Sequence, residues 1–243
     1  MNYAIIAAGE GSRLVQEGVK TPKPLVHIED KPLIGRLLDI FARHGAGVIS
    51  VIVNDQMTEV VQFVSAWMES HPDITTKLLV QSTPSSMHSM AALCDIMPDG
   101  PMVCTTVDTV FAETDFAQYV DRFEQGGGAF HFGVTRYVDD EKPLWVDTDD
   151  EGRITAFRDM GPAPFVSGGI YGMDRLTAVG VLHQCLAEGK SRMRNFQRAL
   201  LQSGVRIKAH EFGKVMDIDH QSDIVKAEKW LHELDQYKGS VRV

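Results

Sequence analysis

The chain is poor in the residues that staple a small fold or build a thiolate metal site. Its 243 residues include three cysteines, Cys94, Cys104 and Cys185, odd in number and in no metal-ligand spacing. They read as reduced, buried thiols, so the expected compartment is the cytoplasm. No apolar run approaches the ~20 residues of a membrane span. The start, MNYAIIAAGEG, has no basic leader region and breaks early into glycine, so neither a secretory leader nor a membrane partner is expected. Positive charge is also short. Lys and Arg total 24 against 33 Asp and Glu, a net charge of −9. Nucleic-acid binding needs a basic face, so nucleic acid is excluded as the main partner, whereas a small phosphorylated ligand needs only a few placed cations and amides.

Several motifs are missing too. The loop Ile5 to Leu14, IIAAGEGSRL, has Gly9 and Gly11 but Leu14 where a dinucleotide-binding loop wants its third glycine. Arg13 sits inside the turn, no helical pattern begins there, and Pro22 and Pro24 follow. The G-K-[ST] ending of a Walker loop is absent. After the apolar run MVCTTV the string VDTVF carries one acid, not the D-x-D of a glycosyltransferase that uses a finished nucleotide-sugar. No two histidines are spaced for zinc, and His88 and His220 read as structural or exposed.

What is present is alternation. Tyr3 to Ala8, Val48 to Val53, Leu78 to Val80 and Met102 to Thr106 are apolar strand runs. Pro32 to His44, Thr58 to Met68, Ser86 to Met97 and Asp115 to Glu124 are helical between and after them, and Pro24 to Ile28 is a short extended piece. This predicts an α/β fold with a Rossmann-like, mostly parallel sheet flanked by helices. The second half is strand-rich, with Phe130 to Tyr137, Leu144 to Val146, Arg153 to Phe157 and Val166 to Tyr171. Helices at Leu176 to Leu186 and Met193 to Leu201 follow, then strands at Arg206 to His210 and Val215 to Ile218. A last helix spans Ser222 to Tyr237, and 238–243 is a frayed tail. With no repeat or linker, 1–243 reads as one domain: a nucleotide-binding half over 1–128, an acceptor-binding half over 129–220 and a C-terminal helix over 221–237. No further repeat domain is expected after that helix.

Gly9 and Gly11 let backbone amides approach phosphate oxygens, Arg13 can fork onto one phosphate, and Lys23 can set a point charge on another. Either cation alone fits a surface role. Together, at the carboxyl end of the first buried strand, they predict phosphate binding.

The strings AAGEGSRL and PKPLVHIEDKPLI resemble the signature of the sugar-phosphate nucleotidyltransferases, the nucleotide-sugar pyrophosphorylase family. The resemblance implies the GT-A-like version of the fold and a magnesium-dependent transfer between a nucleoside triphosphate and a small phosphorylated acceptor, expected to be a sugar-1-phosphate, with release of pyrophosphate. It implies that Ala7, Ala8, Gly9, Gly11 and Ser12 line the base and phosphates, that Arg13 and Lys23 hold phosphates, and that Gln81 lies near the base. Asp108 would bind Mg2+, with Asp217 as second ligand and Asp219 as its alternative. Ser86 and Ser89 could reach base edges, Ser86 more readily serving as a helix cap.

In the acceptor half, Ser167, Gly168 and Gly169 of VSGGIYGM are acceptor-binding candidates, or only a bulge before a strand. In GRITAFRDMG, Asp159 stands where family members carry a glutamate and Met160 where they carry the acceptor-binding lysine. That departure makes Arg158 a candidate substitute. It also leaves open a phosphocholine-type cytidylyltransferase, or a non-catalytic nucleotide-binding regulatory relative. Trp145 could stack on a sugar or embrace a choline cation, though its type is more often core. The oligomeric state is left open, a dimer included.

Overall fold

The computed structural model describes residues 1–240, with side chains to Tyr237. In chain order the elements are β1 (Asn2–Ala7), α1 (Ser12–Gln16), a 3-10 turn (Lys23–Leu25), β2 (His27–Ile28), β3 (Lys31–Pro32), α2 (Leu33–Arg43), β4 (Val48–Val53), α3 (Thr58–Ser70), β5 (Thr75–Val80), α4 (Ser86–Ile96), β6 (Pro101–Thr106), β7 (Thr109–Phe111) and α5 (Glu113–Gln125). The second half continues with β8 (His131–Thr135), β9 (Trp145–Thr148), β10 (Ile154–Arg158), β11 (Phe165–Asp174), α6 (Arg175–Ala187), α7 (Met193–Gln202), β12 (Lys208–Phe212), β13 (Val215–Asp217) and α8 (Gln221–Ser240). Of the tail expected over 238–243, residues 238–240 continue α8, and 241–243 lie outside the described residues.

One nine-stranded sheet draws on both halves of the chain. Strands β5, β4, β1 and β6 are parallel neighbours, and β11 closes the β6 edge antiparallel. Beyond it, β8 pairs with β11, and β12 runs parallel to β8. The N-terminal end of β11 pairs instead with β9, which carries β10. The parallel block puts the carboxyl ends of β1 and β6 side by side. β1 is followed by β4 on one flank and has β6 on the other, so the strand order reverses at β1, the position where open α/β sheets leave a crevice for ligands.

Period-two alternation explains the layering. Tyr3, Ile5, Ile49 and Val51 face one fully buried cluster with Leu37, Phe41, Phe116 and Tyr119 of α2 and α5. Ala4, Ile6, Met102 and Cys104 face the other, with Met90 and Leu93 of α4, Leu182 of α6 and Phe196 of α7. Phe116 is the aromatic hub of the first layer, with ring centroids 5.5 Å from Phe41 and 5.1 Å from Phe111. No helix among the described residues is long and apolar enough to cross a membrane, and the three cysteines are free and buried.

Two local expectations are corrected. The glycine loop does open a helix: α1 is one short turn-and-a-half before the prolines, started by Gly11 in the left-handed conformation at φ 63°. Its apolar anchor is a single buried residue, Leu14, too little to show as a periodic pattern. The string Thr109–Phe111, not expected as a strand, is β7, and it pairs antiparallel with β13.

Candidate functional site

The site is assembled where four loops meet at the carboxyl edge of β1 and β6. From β1 come Gly9, Glu10, Gly11 and Ser12, which line a cleft of about 760 Å³, a volume suited to a nucleotide-sized ligand. Gly11 is required by geometry. A Cβ there would stand 2.8 Å from the Lys23 Cβ, and the backbone is left-handed. This packing holds Lys23, in the 3-10 turn, against the floor of the loop.

Lys23 is the centre of the charge arrangement. Its buried ammonium donates to an Asp108 Oδ2 and, at 2.8 Å, to Asp219 Oδ1. Burial works to lower the Lys23 pKa, but the two carboxylates outweigh it and raise the value. The reciprocal holds at Asp108: burial works upward, and the charge and hydrogen bond of Lys23, with the Thr106 hydroxyl, bring the net shift downward. Arg13 pairs with the second oxygen of Asp219, so Asp219 is the counterion shared by both loop cations.

Asp217 arrives by strand pairing. In the β7–β13 ladder it stands opposite Thr109, and the amide of Ile218 donates to the Asp108 carbonyl at 3.1 Å. Thr109 Oγ1 donates to Asp217 Oδ1 at 3.3 Å and lies 2.7 Å from the Thr106 hydroxyl. Asp217 opens onto cleft solvent. Enclosure by the cleft walls, then the charge of Asp108, raises its pKa, with Lys23 opposing. Two carboxylates that repel each other beside open space suit a divalent cation, which magnesium would complete with phosphate oxygens and waters. Among the described residues no three His, Cys, Asp or Glu side chains form a self-sufficient metal cluster.

The C-terminal segment is clipped onto the loop from outside. Glu17, just after α1, bonds the His220 ring at 2.6 Å and the Gln221 amide at 2.8 Å. His220 is thus an ion-pair partner, and Glu17 is lowered by the Gln221 amide first and His220 second. Asp223 caps the start of α8 by accepting from the amides of Asp219 and His220.

The remaining candidates divide. Ala8, Ser86 and Ser89 line the cleft, and Ser85 rather than Ser86 holds the cap position of α4. Gln81 does not line it. Its backbone amide extends the β4–β5 ladder by donating to the Val53 carbonyl, the residue is exposed, and Asn54, Gln56, Ser82 and Thr83 form that wall instead. Ala7 is buried in the core with its side chain away from the cleft. Ser167, Gly168 and Gly169 lie at a bulge in the β8–β11 register and also border the cavities. Gly169 has φ 69°, and a Cβ there would meet Thr109 Oγ1 at 3.0 Å.

Arg158 and Asp159 do not reach the cleft. Arg158 pairs with Asp147 and the Pro162 carbonyl, and Asp159 pairs with Arg194 and Arg198 of α7. Met160 is 80% exposed on the outside, and Trp145 packs flat against Gly161. Of these four residues, Asp159 ties the end of β10 to α7.

Sequence reasoning missed α7 as a cleft wall. Arg192, Met193, Arg194 and Gln197 line it, and Arg192 has no ion-pair partner among the described residues. The run GKSRMR before a helix was the available signal. Asn54 was missed as well. It is buried, donates to the Ala8 carbonyl at 3.2 Å and accepts from the Gln56 amide. A polar residue ending the strand VISVIV marks such a position. A second, smaller cavity of about 230 Å³ adjoins the first and shares Asp140, Ser167 and Asp217 with it.

Known proteins resemble this chain over most of its length. A protein of Bacillus anthracis assigned as a glucose-1-phosphate thymidylyltransferase has a TM-score of 0.80 at 20% identity, each chain covered to 95%. A UDP-glucose pyrophosphorylase has 0.76 at 15%, covering 96% of this chain and 98% of its own. The inositol-1-phosphate CTP transferase of T. maritima has 0.72 at 14%, covering 91% and 90%. At these identities the likeness is one of fold. A curated relative, the 2-aminoethylphosphonate cytidylyltransferase of Lancefieldella rimae, is 25% identical over 174 residues. That match takes in 70% of this chain, which spans 65% of the relative's length. Residues 3–167 match the MobA-like NTP transferase domain, and the chain belongs to that family.

Proposed function

We propose that the protein is a nucleotidyltransferase that joins a nucleoside triphosphate to a small phosphorylated or phosphonylated acceptor. An acceptor oxygen attacks the α-phosphorus and forms a new P–O bond. The bond from the α-phosphorus to the α,β-bridging oxygen breaks, and pyrophosphate leaves with its electron pair. The observation that carries this reading is the convergence of Lys23, Arg13, Asp108 and Asp217 beside the Gly9–Gly11 loop at the strand-order reversal.

The chemistry asks little covalent work of the protein, and positioning with charge neutralisation does most of it. The loop amides and Arg13 hold the triphosphate tail, and Lys23 is placed for the reacting phosphates. Asp108 and Asp217 would hold Mg2+, which supplies charge neutralisation at the phosphoryl oxygens when bound. Arg192 at the start of α7, without an ion-pair partner among the described residues, is a cation on the acceptor side, and takes the part that Met160 cannot. The name of the curated relative favours cytidine as the base. Buried free thiols support a cytoplasmic setting.

Pyrophosphate release, measured with magnesium, each nucleoside triphosphate in turn and a panel of acceptors, tests the reading. Release that requires both an acceptor and the Asp108 carboxylate, and is lost in Asp108→Asn, is the expected result. Metal-dependent triphosphate binding with no turnover on any acceptor would make the loop a sensor instead.

A further inference from the structure

Gln197 is a polar side chain with half of its amide unspent. It lies on the second turn of α7, 1% exposed, and still borders the cleft. Its Nε2 donates to Ser167 Oγ at 3.2 Å. Its Oε1 takes no hydrogen bond from any described protein atom. A buried amide oxygen left bare costs about 1–3 kcal/mol relative to a satisfied one, so it stands out where most buried polar atoms are paired.

The surroundings say what would satisfy it. Met193 and Arg194 precede Gln197 by four and three residues, so all three share the face of α7 turned to the cleft. Arg192 stands at the head of that face. Across from it, Ser167 sits at the bulge of β11, shared between the two cavities and adjoining Asp217. Tyr171 closes the floor. The amide nitrogen of Gln197 is engaged by Ser167, and the oxygen is what remains. A group held there lies on the acceptor side of the cleft, across from the glycine loop.

Building on the transferase reading above, we infer that Gln197 Oε1 reads a hydrogen-bond donor, an N–H or O–H, on the carbon skeleton of the acceptor. Gln197 is therefore a specificity-determining residue. The acceptor class is a small phosphate or phosphonate bearing a primary amine or a hydroxyl. A quaternary ammonium acceptor has no N–H to offer and would leave the buried oxygen bare, so phosphocholine is disfavoured. Sites built to bond a substrate donor discriminate against analogues lacking it far more strongly than apolar pockets do.

The experiment compares phosphoethanolamine with phosphocholine, which differ in N–H against N–CH3, and adds glucose-1-phosphate to separate amine from hydroxyl recognition. Wild type, Gln197→Leu and Gln197→Glu are assayed with the nucleotide that supports turnover, after thermal melts confirm folding. Wild type should favour a donor-bearing acceptor over phosphocholine by about tenfold or more in kcat/KM. Gln197→Leu should erase most of that preference through the acceptor KM, and Gln197→Glu, which keeps an oxygen at the site, should retain phosphoethanolamine if the donor is an amine. If Gln197→Leu does not fold, the wild-type comparison and Gln197→Glu still decide. Equal or better use of phosphocholine by wild type, or a preference that survives Gln197→Leu, overturns the inference and leaves the transferase standing. No turnover with any acceptor overturns the transferase reading, and this one with it.

Discussion

Asp219 lies 2.8 Å from the ammonium of Lys23, 196 positions earlier in the chain, with its other oxygen on Arg13. Asp219 is thus a counterion shared by Arg13 and Lys23, which also holds Asp108, and a triphosphate on these cations must displace it. Asp217, two residues earlier, instead stands opposite Thr109 in the β7–β13 pair, where the charge of Asp108 acts on it. The proposed reading gives the two acids different work, and substitution tests that. Asp217→Asn should cut turnover by about a hundredfold or more, the usual loss when a group stabilising transition-state charge is removed. Asp219→Asn should keep turnover within about tenfold and tighten triphosphate binding, because less counterion has to be displaced. Equal losses in both variants, measured by steady-state kinetics and calorimetry, would assign metal binding to Asp219 as well.

Gly11 predicts a backbone effect. In Gly11→Ala the methyl meets the Lys23 stem at 2.8 Å in a left-handed backbone, which costs about 1–3 kcal/mol of stability. The loop and Lys23 move apart, and turnover should fall by on the order of ten- to a hundredfold. Urea unfolding and kinetics on the same preparation check both halves, and an alanine variant with unchanged kinetics would deny the loop its role.

Arg192 is expected to act on the acceptor alone. Loss of a charged hydrogen-bond donor in Arg192→Gln should raise the acceptor KM by about tenfold or more, with the nucleotide KM little changed. Arg158→Gln, which loosens the exposed Asp147 pair and the bond to the Pro162 carbonyl, should leave both constants within about threefold, as an exposed ion pair is worth under about 1 kcal/mol. The reverse ranking would return the acceptor phosphate to Arg158.

Two buried histidines make the fold acid-sensitive. His210 is pushed down to about 4 by burial first, then by the charges of Arg122 and His131, and burial also lowers His131. Both stay neutral in the fold while the unfolded chain protonates near 6.5, so the unfolded state binds more protons in between. Stability is full above pH 6.5 and drains away as pH falls from there toward 4. Denaturant unfolding across that window should show the slope, and His210→Gln should flatten it. An unchanged slope in the variant would remove His210 from the account.

The aromatic layer gives a plain stability test. Phe116 touches Tyr3, Phe41, His44, Phe111 and Tyr119 and is fully buried. Phe116→Ala should cost about 3–5 kcal/mol, read from the shift in urea midpoint. A loss under 1 kcal/mol would mean that the layer collapses to fill the gap.

The sequence by itself determined the order of strands and helices, the glycine loop with its two cations, and Asp108 at the end of β6. These are short-range properties: apolar alternation, glycine at a turn and a charge after an apolar run each act within a few residues. It also exposed, in Met160, the departure that made the acceptor uncertain. Only the tertiary structure decided which acids converge, because the register of β13 on β7 sets Asp217 opposite Thr109 and the chain beyond it carries Asp219 to Lys23, a pairing between segments about a hundred residues apart with no local signal strong enough to announce β7. It also turned Gln81, Arg158 and Asp159 away and brought Arg192 and Gln197 in. Which wall of a cleft a side chain joins depends on how α7 packs against β10 and the bulge of β11, and burial and crossover geometry settle that at long range.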